Sequence, residues 1–167
     1  DAEDALSLLR AEGGFSKQHR RFPRKQTIRR MFSRSINCVR TLADVIERDH
    51  PHFATFTPEL SELFEAYARY KLAHQMVDYD DLLLLTKKLL EREPEVRRAL
   101  SERYRYILVD EYQDTNRIQA DIVRLLAETH DNVTVVGDDA QSIYAFRGAA
   151  VRNMHEFPER FPGTTRV

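Results

Sequence analysis

Asp110 and Glu111 stand side by side at the end of a short apolar run, in the stretch YILVDEYQDTN at 106–116. A third acid follows at Asp114. Two adjacent like charges admit two readings. One is a strand leaving a core for solvent. The other is a site that holds a cation and a reacting water. One carboxylate can bind Mg²⁺, with waters and substrate phosphates completing the octahedron. A second can orient and deprotonate a water for attack on a terminal phosphate. Adjacent side chains on an extended segment point to opposite sides, so Asp110 is expected to face the metal and Glu111 the water.

Such a pair needs elements that fix it. Tyr106–Val109 and Val133–Val136 are short β-prone runs without strict alternation, the pattern of buried parallel strands. Ile118, Ile122, Val123, Leu125 and Leu126 between them have helical spacing. The result is a βαβ unit. Both runs end in acids, Asp110–Glu111 after the first and Gly137–Asp138–Asp139 after the second. Open parallel sheets bind ligands at the carboxyl ends of their strands, which favours a site over an exit to solvent.

Upstream the pattern is helical. A short helix is expected over 1–11, with Leu6 and Leu9 on one side, then a loop over 13–23. Helical spacing resumes from Arg24 to Arg48, with a break near Ser33–Ser35, and ends at His50–Pro51–His52. Thr57 is expected as an N-cap with Pro58 at the first helical position. Leu60, Leu63, Phe64, Tyr67 and Tyr70 then form one apolar stripe. The next helix starts at Asp78, with Asp81 adding an acid at its positive end. Its leucines at 82–85, 89 and 90 make it apolar nearly all round, so it is expected to be buried. Pro94 opens a further helix. The expected fold class is α/β: a helical subdomain over 1–103 followed by a parallel sheet portion over 104–167.

Composition narrows the function classes. Hydrophobic residues make up 42% and charged residues 32% of the 167, a normal balance for a folded domain in water. The longest apolar run, four leucines, is far too short to span a bilayer, so no membrane partner is expected. A single Cys38 cannot form an internal disulfide, which fits a reducing, cytoplasmic compartment. The six histidines lack metal-ligand spacing. Charge is distributed unevenly. From Gly13 to Ala43 there is no acid but there are nine bases: Lys17, Arg20, Arg21, Arg24, Lys25, Arg29, Arg30, Arg34 and Arg40. A block this one-sided calls for an anion, and the phosphate backbone of a nucleic acid is the commonest. A solvated basic face paired with acidic neighbours is the alternative.

DEYQDTN and, about twenty residues later, VVGDDAQSIYAFRGA resemble motifs II and III of superfamily 1 DNA helicases of the UvrD, Rep and PcrA type. VDYDDLL at 77–83, RFPRK at 21–25, YARYK at 67–71 and the segment GAAVRNMHEFPERFPG extend the resemblance over nearly the whole chain. It implies a helical 1B-like subdomain followed by part of a RecA-like P-loop NTPase domain, 1A. It also implies ATP and Mg²⁺ as cofactors and single-stranded and duplex DNA as partners, with 3′-to-5′ movement in the nucleoid-associated cytoplasm. By the resemblance Asp110 coordinates Mg²⁺, Glu111 is the catalytic base, and Gln141 contacts the γ-phosphate. Tyr144, Phe146 and Arg147 face single-stranded DNA, joined by Arg20, Arg21, Arg24 and Lys25 of the basic block. Rings stack bases without reading sequence, and an amide can donate to phosphate and accept from water. Core packing for Tyr144 and Phe146, and an ion pair for Arg147, are the plainer alternatives. Asp138 and Asp139 read as supporting residues. Ala140 stands where many relatives have a third Asp, and Phe146 where many have Trp.

The pattern G-x-x-x-x-G-K-[ST] of a phosphate-binding loop does not occur in this sequence. The chain is therefore expected to be an internal helicase fragment, inactive alone, whose partners include the remaining motor domains. Exposed sheet edges would favour a fragment dimer. A non-enzymatic DNA-binding or protein-interaction module, and the motor part of a helicase-nuclease, are the alternative readings.

Overall fold

The computed structural model describes residues 2–14, 21–138, 140 and 151–165. The chain forms two compact units, Asp1–Asp81 and Leu82–Val167. The division falls within one helix. No helix among the described residues is long and apolar enough to cross a membrane.

The first unit is helical. It contains α1 (Ala2–Glu12), α2 (Lys25–Asn37), α3 (Leu42–Asp49), a 3₁₀ turn (Pro51–Phe56), α4 (Thr57–Ala73) and the start of α5 (Tyr79–Arg92). Its core joins Leu6 of α1, Ile28, Met31 and Phe32 of α2, Val45 and Ile46 of α3, and Leu60, Leu63 and Tyr67 of α4. These positions recur every three or four residues, so each helix buries one stripe. The expected stripe on α4 is thus present, with Phe64 and Tyr70 packed at its margin. The break between α2 and α3 lies at 38–41, beyond the expected Ser33–Ser35. Val39 takes a left-handed φ of 52° there, and Thr41 caps α3 by accepting the Asp44 N–H at 3.1 Å. Thr57 is the first residue of α4 rather than its cap. The 3₁₀ turn runs directly into the helix, and the Thr57 hydroxyl donates backward to Ala54 O.

The second unit holds the rest of α5, α6 (Pro94–Arg103), β1 (Ile107–Val109), a 3₁₀ turn (Tyr112–Asp114), α7 (Arg117–Leu126), β2 (Val133–Val135) and α8 (Val151–Arg160). β1 and β2 pair in parallel, with Ile107 opposite Val133 and Val109 opposite Val135. This is the expected βαβ unit. Asn116 and Gln119 start α7 with a reciprocal capping box. Tyr112 and Phe157 meet edge to face at 5.5 Å in the core of this unit, beside Phe161 and Ala120.

Two burial expectations fail. Of the α5 leucines only Leu90 is buried, while Leu82, Leu85 and Leu89 are each about half exposed. A helix turns 100° per residue, so consecutive leucines face all directions, and among the described residues nothing covers their outer side. The strands are not buried on both faces either. Burial alternates along them, and Leu108 is 72% exposed.

Candidate functional site

β1 delivers Asp110 and Glu111 to its carboxyl end, where both are exposed. The backbone does not continue extended. Glu111 sits in the left-handed region at φ 51°, ψ 42°. The simple alternation expected for the pair is therefore replaced by a turn. Glu111 N–H donates to Asp110 Oδ1 at 2.9 Å. Asp110 Oδ2 has no protein partner among the described residues. Positive φ costs a non-glycine residue about 1–2 kcal/mol, and such strain persists only where surrounding contacts over-determine it.

Those contacts come from the 3₁₀ turn and the end of β2. Tyr112 N–H donates to Val136 O at 2.9 Å, and Val136 N–H to Val109 O at 2.9 Å. The turn is thereby stitched to the neighbouring strand. Gln113, 1% exposed, spans the gap beneath the carboxylates. Its Nε2 donates to Glu111 Oε2, and its Oε1 accepts from Asp138 N–H at 3.0 Å. Asp138 Oδ1 in turn accepts from Ala140 N–H at 3.0 Å. The approach is close. A Cβ on Gly137 would lie 2.5 Å from Gln113 Oε1 and 3.3 Å from Gln113 N.

The site has no ready-made metal cage. No group of three or more His, Cys, Asp or Glu side chains able to hold a metal occurs among the described residues. One exposed carboxylate with a free oxygen suits Mg²⁺, which keeps most of its waters and takes one or two protein ligands. It would not suit a structural zinc.

The sequence-predicted residues divide three ways. Asp110 and Glu111 are together at the strand end. Gln141, Tyr144, Phe146, Arg147 and Arg20 lie outside the described residues. Arg21 and Arg24 are exposed and Lys25 is half-buried, at the start of α2 in the first unit. Arg29 and Arg30 also lie on the exposed side of α2, away from buried Ile28, Met31 and Phe32. Gln113 and Gly137 were missed. The available signal was a lone amide two residues after the acid pair and a glycine directly after an apolar run.

Another polar cluster orders the first unit. Lys71, 8% exposed at its side chain, reaches Asp78 Oδ2 at 2.7 Å and Asp81 Oδ2 at 2.6 Å. Its ammonium lies 4.4 Å from the Tyr67 ring centroid, and the Tyr67 hydroxyl donates to Asp78 at 3.0 Å. Asp78 and Asp81 cap α5 reciprocally through their N–H groups, both at 2.9 Å, which extends the expected helix start. Burial alone would push the Asp78 carboxyl up. The hydrogen bonds from Lys71, the Asp81 N–H and Tyr67 outweigh it, so Asp78 titrates below the ordinary aspartate value. Burial, then the Asp78 carboxylate, push the Tyr67 hydroxyl well above the tyrosine range, so it stays a donor.

Residues 8–162 match the family model described as the UvrD/REP helicase N-terminal domain. The chain is 34% identical over its full length to the "ATP-dependent DNA helicase PcrA" of Bacillus subtilis, covering 22% of that protein. It is 46% identical over 63% of its length to the "Probable DNA helicase II homolog" of Rickettsia felis, covering 16% of it. It is 42% identical over 65% of its length to the "ATP-dependent DNA helicase PcrA" of Staphylococcus aureus, covering 15% of it. The chain thus spans about a fifth or less of the curated relatives it matches. With the match running through both helical and sheet portions, the chain belongs to the UvrD/REP helicase N-terminal domain family.

Proposed function

We propose that the end of β1 is the water-activating half of an ATP-hydrolysing site in a DNA helicase motor of RecA-like fold. The observation that carries the reading is the exposed Asp110–Glu111 pair at the carboxyl end of a parallel strand, with the Glu111 carboxylate held by a buried amide. Asp110 would hold Mg²⁺ through its free oxygen. The ion, when bound, supplies positive charge to the phosphates. Glu111 would orient the attacking water and accept its proton. Gln141 would touch the γ-phosphate, and Tyr144, Phe146 and Arg147 would meet single-stranded DNA. The helical part, to about residue 103, would be the 1B-like subdomain, and Arg20, Arg21, Arg24 and Lys25, with exposed Arg30 of α2, would meet DNA phosphates.

The phosphate-gripping pattern is absent from this sequence, so turnover, duplex unwinding and 3′-to-5′ movement are assigned to the full-length protein and not to the chain alone. The test is Glu111→Gln in the full-length protein. ATP binding is expected to persist while hydrolysis and unwinding fall by at least about 100-fold, as for loss of a general base. Normal turnover by that variant would reject the assignment.

A further inference from the structure

We infer that Gln113 is a positioning residue that fixes Glu111 to the exit of β2, so that the two strand ends move as one. This rests on the reading of Glu111 as the acceptor of the water proton.

Glu111 is exposed, and a free glutamate side chain samples many rotamers. Here its carboxylate takes a charge-assisted hydrogen bond from Gln113 Nε2. The other arm of the same amide accepts from the Asp138 backbone N–H. A carboxamide presents a donor on one arm and an acceptor on the other. Of the two similar side chains, Glu would bring a second negative charge against Glu111, and Met would satisfy neither end. The backbone around it fits this use. The left-handed turn at Glu111 folds its carboxylate back over residue 113. Gly137 lacks the Cβ that would strike Gln113 Oε1 at 2.5 Å. Its φ lies outside the left-handed region, so close approach, and not backbone strain, explains the glycine. Tyr112, fully buried and bonded to Val136 O, keeps the turn from sliding along β2. A shift of the β2 exit at 137–138 therefore pulls on the Gln113 amide and so on the Glu111 carboxylate.

The test uses the full-length protein and two independent perturbations. Gln113→Met is expected to lower kcat about 10- to 100-fold, the usual effect of misplacing a reacting group. KM for ATP and affinity for a non-hydrolysable ATP analogue should stay within about twofold. Gly137→Ala, which displaces the same side chain by a different route, should reproduce that split. In a Gln113→Ala background, Gly137→Ala should cost clearly less than in the wild-type background, because the 2.5 Å clash is gone and only the approaches to Met154 Sδ at 3.2 Å and Gln113 N at 3.3 Å remain. Hydrogen exchange of a peptide over 136–140 should rise in Gln113→Met but stay at the wild-type level in Glu111→Gln, whose amide oxygen still accepts from Gln113.

Full kcat in Gln113→Met or Gly137→Ala, beside an inactive Glu111→Gln, would overturn the inference. So would analogue binding that weakens in step with kcat, or additive effects in the double variant. Normal turnover by Glu111→Gln would instead sink the base assignment while leaving the exchange result to report on the bridge. Should Gln113→Met fail to fold, Gly137→Ala decides the matter through its own split between kcat and analogue affinity.

Discussion

Replacing Lys71 by Met removes the cation from a cluster that holds two carboxylates. The Lys71 side chain is 8% exposed, and its ammonium sits 2.7 and 2.6 Å from Asp78 and Asp81, whose side chains are 20% and 18% exposed. Breaking a buried ion pair by removing one partner costs about 3–5 kcal/mol. The carboxylates keep some access to water, so the low end applies, about 3 kcal/mol at pH 7. With a urea m-value of about 2 kcal/mol/M, the midpoint should fall by about 1.5 M. The pH dependence is more diagnostic. In the wild type Asp78 is depressed below its unfolded value, so its contribution is present above about pH 4 and fades as pH falls further. In Lys71→Met the hydrogen bond and charge of the ammonium are gone while the Asp81 N–H and Tyr67 bonds remain, so Asp78 should titrate higher than in the wild type and the variant should lose less stability than the wild type as pH falls. The gap between the two should therefore narrow in mild acid. Adding Asp78→Asn and Asp81→Asn should recover at least half of the loss, because no charge is then left without a partner. Urea unfolding followed by far-UV circular dichroism at pH 7 and 4.5 measures all of this. A loss under about 1 kcal/mol, or a gap that does not change with pH, would refute the electrostatic account of the cluster.

Two other outcomes follow from the geometry. Arg24 and Arg30 are exposed at the start of α2, and replacing both by Ala should flatten the slope of log affinity for single-stranded DNA against log salt by about 1.4. An unchanged slope would remove α2 from the DNA path. The Tyr112 hydroxyl is buried without a hydrogen-bond partner among the described residues, so Tyr112→Phe should leave the melting temperature unchanged or raise it. A loss above about 1 kcal/mol would show that the hydroxyl is satisfied in the full-length protein.

Periodicity made the helices legible. Leu60, Leu63 and Tyr67 of α4 are buried together because side chains three and four apart share a face. The βαβ unit was equally readable from two apolar runs flanking a helical pattern. Termini were less so. Thr57 has the chemistry of a cap but follows a 3₁₀ turn, and local sequence does not reveal that the turn continues into the helix. The α5 leucines misled because hydrophobicity all round a helix reports what it can bury, while burial depends on which neighbours are near. At the site, the acids were visible as residue types. Their geometry was not, because a left-handed Glu111 and the Gln113 bridge are set by contacts between strand ends some twenty-five residues apart in the chain. Gly137 carried that information in the sequence, as an absent side chain.

The turn at Glu111 also bears on how such a protein can be improved in the laboratory. A glutamate at φ 51° is held there against its own preference, and beside it stands a second negative charge. Glycine or asparagine accepts that backbone with less strain. A library sorted only for heat resistance would therefore tend to enrich replacements at position 111 that relax the turn and discard the proposed base. Selection for thermostability here needs a turnover screen alongside it, because at this position the two aims point to different amino acids.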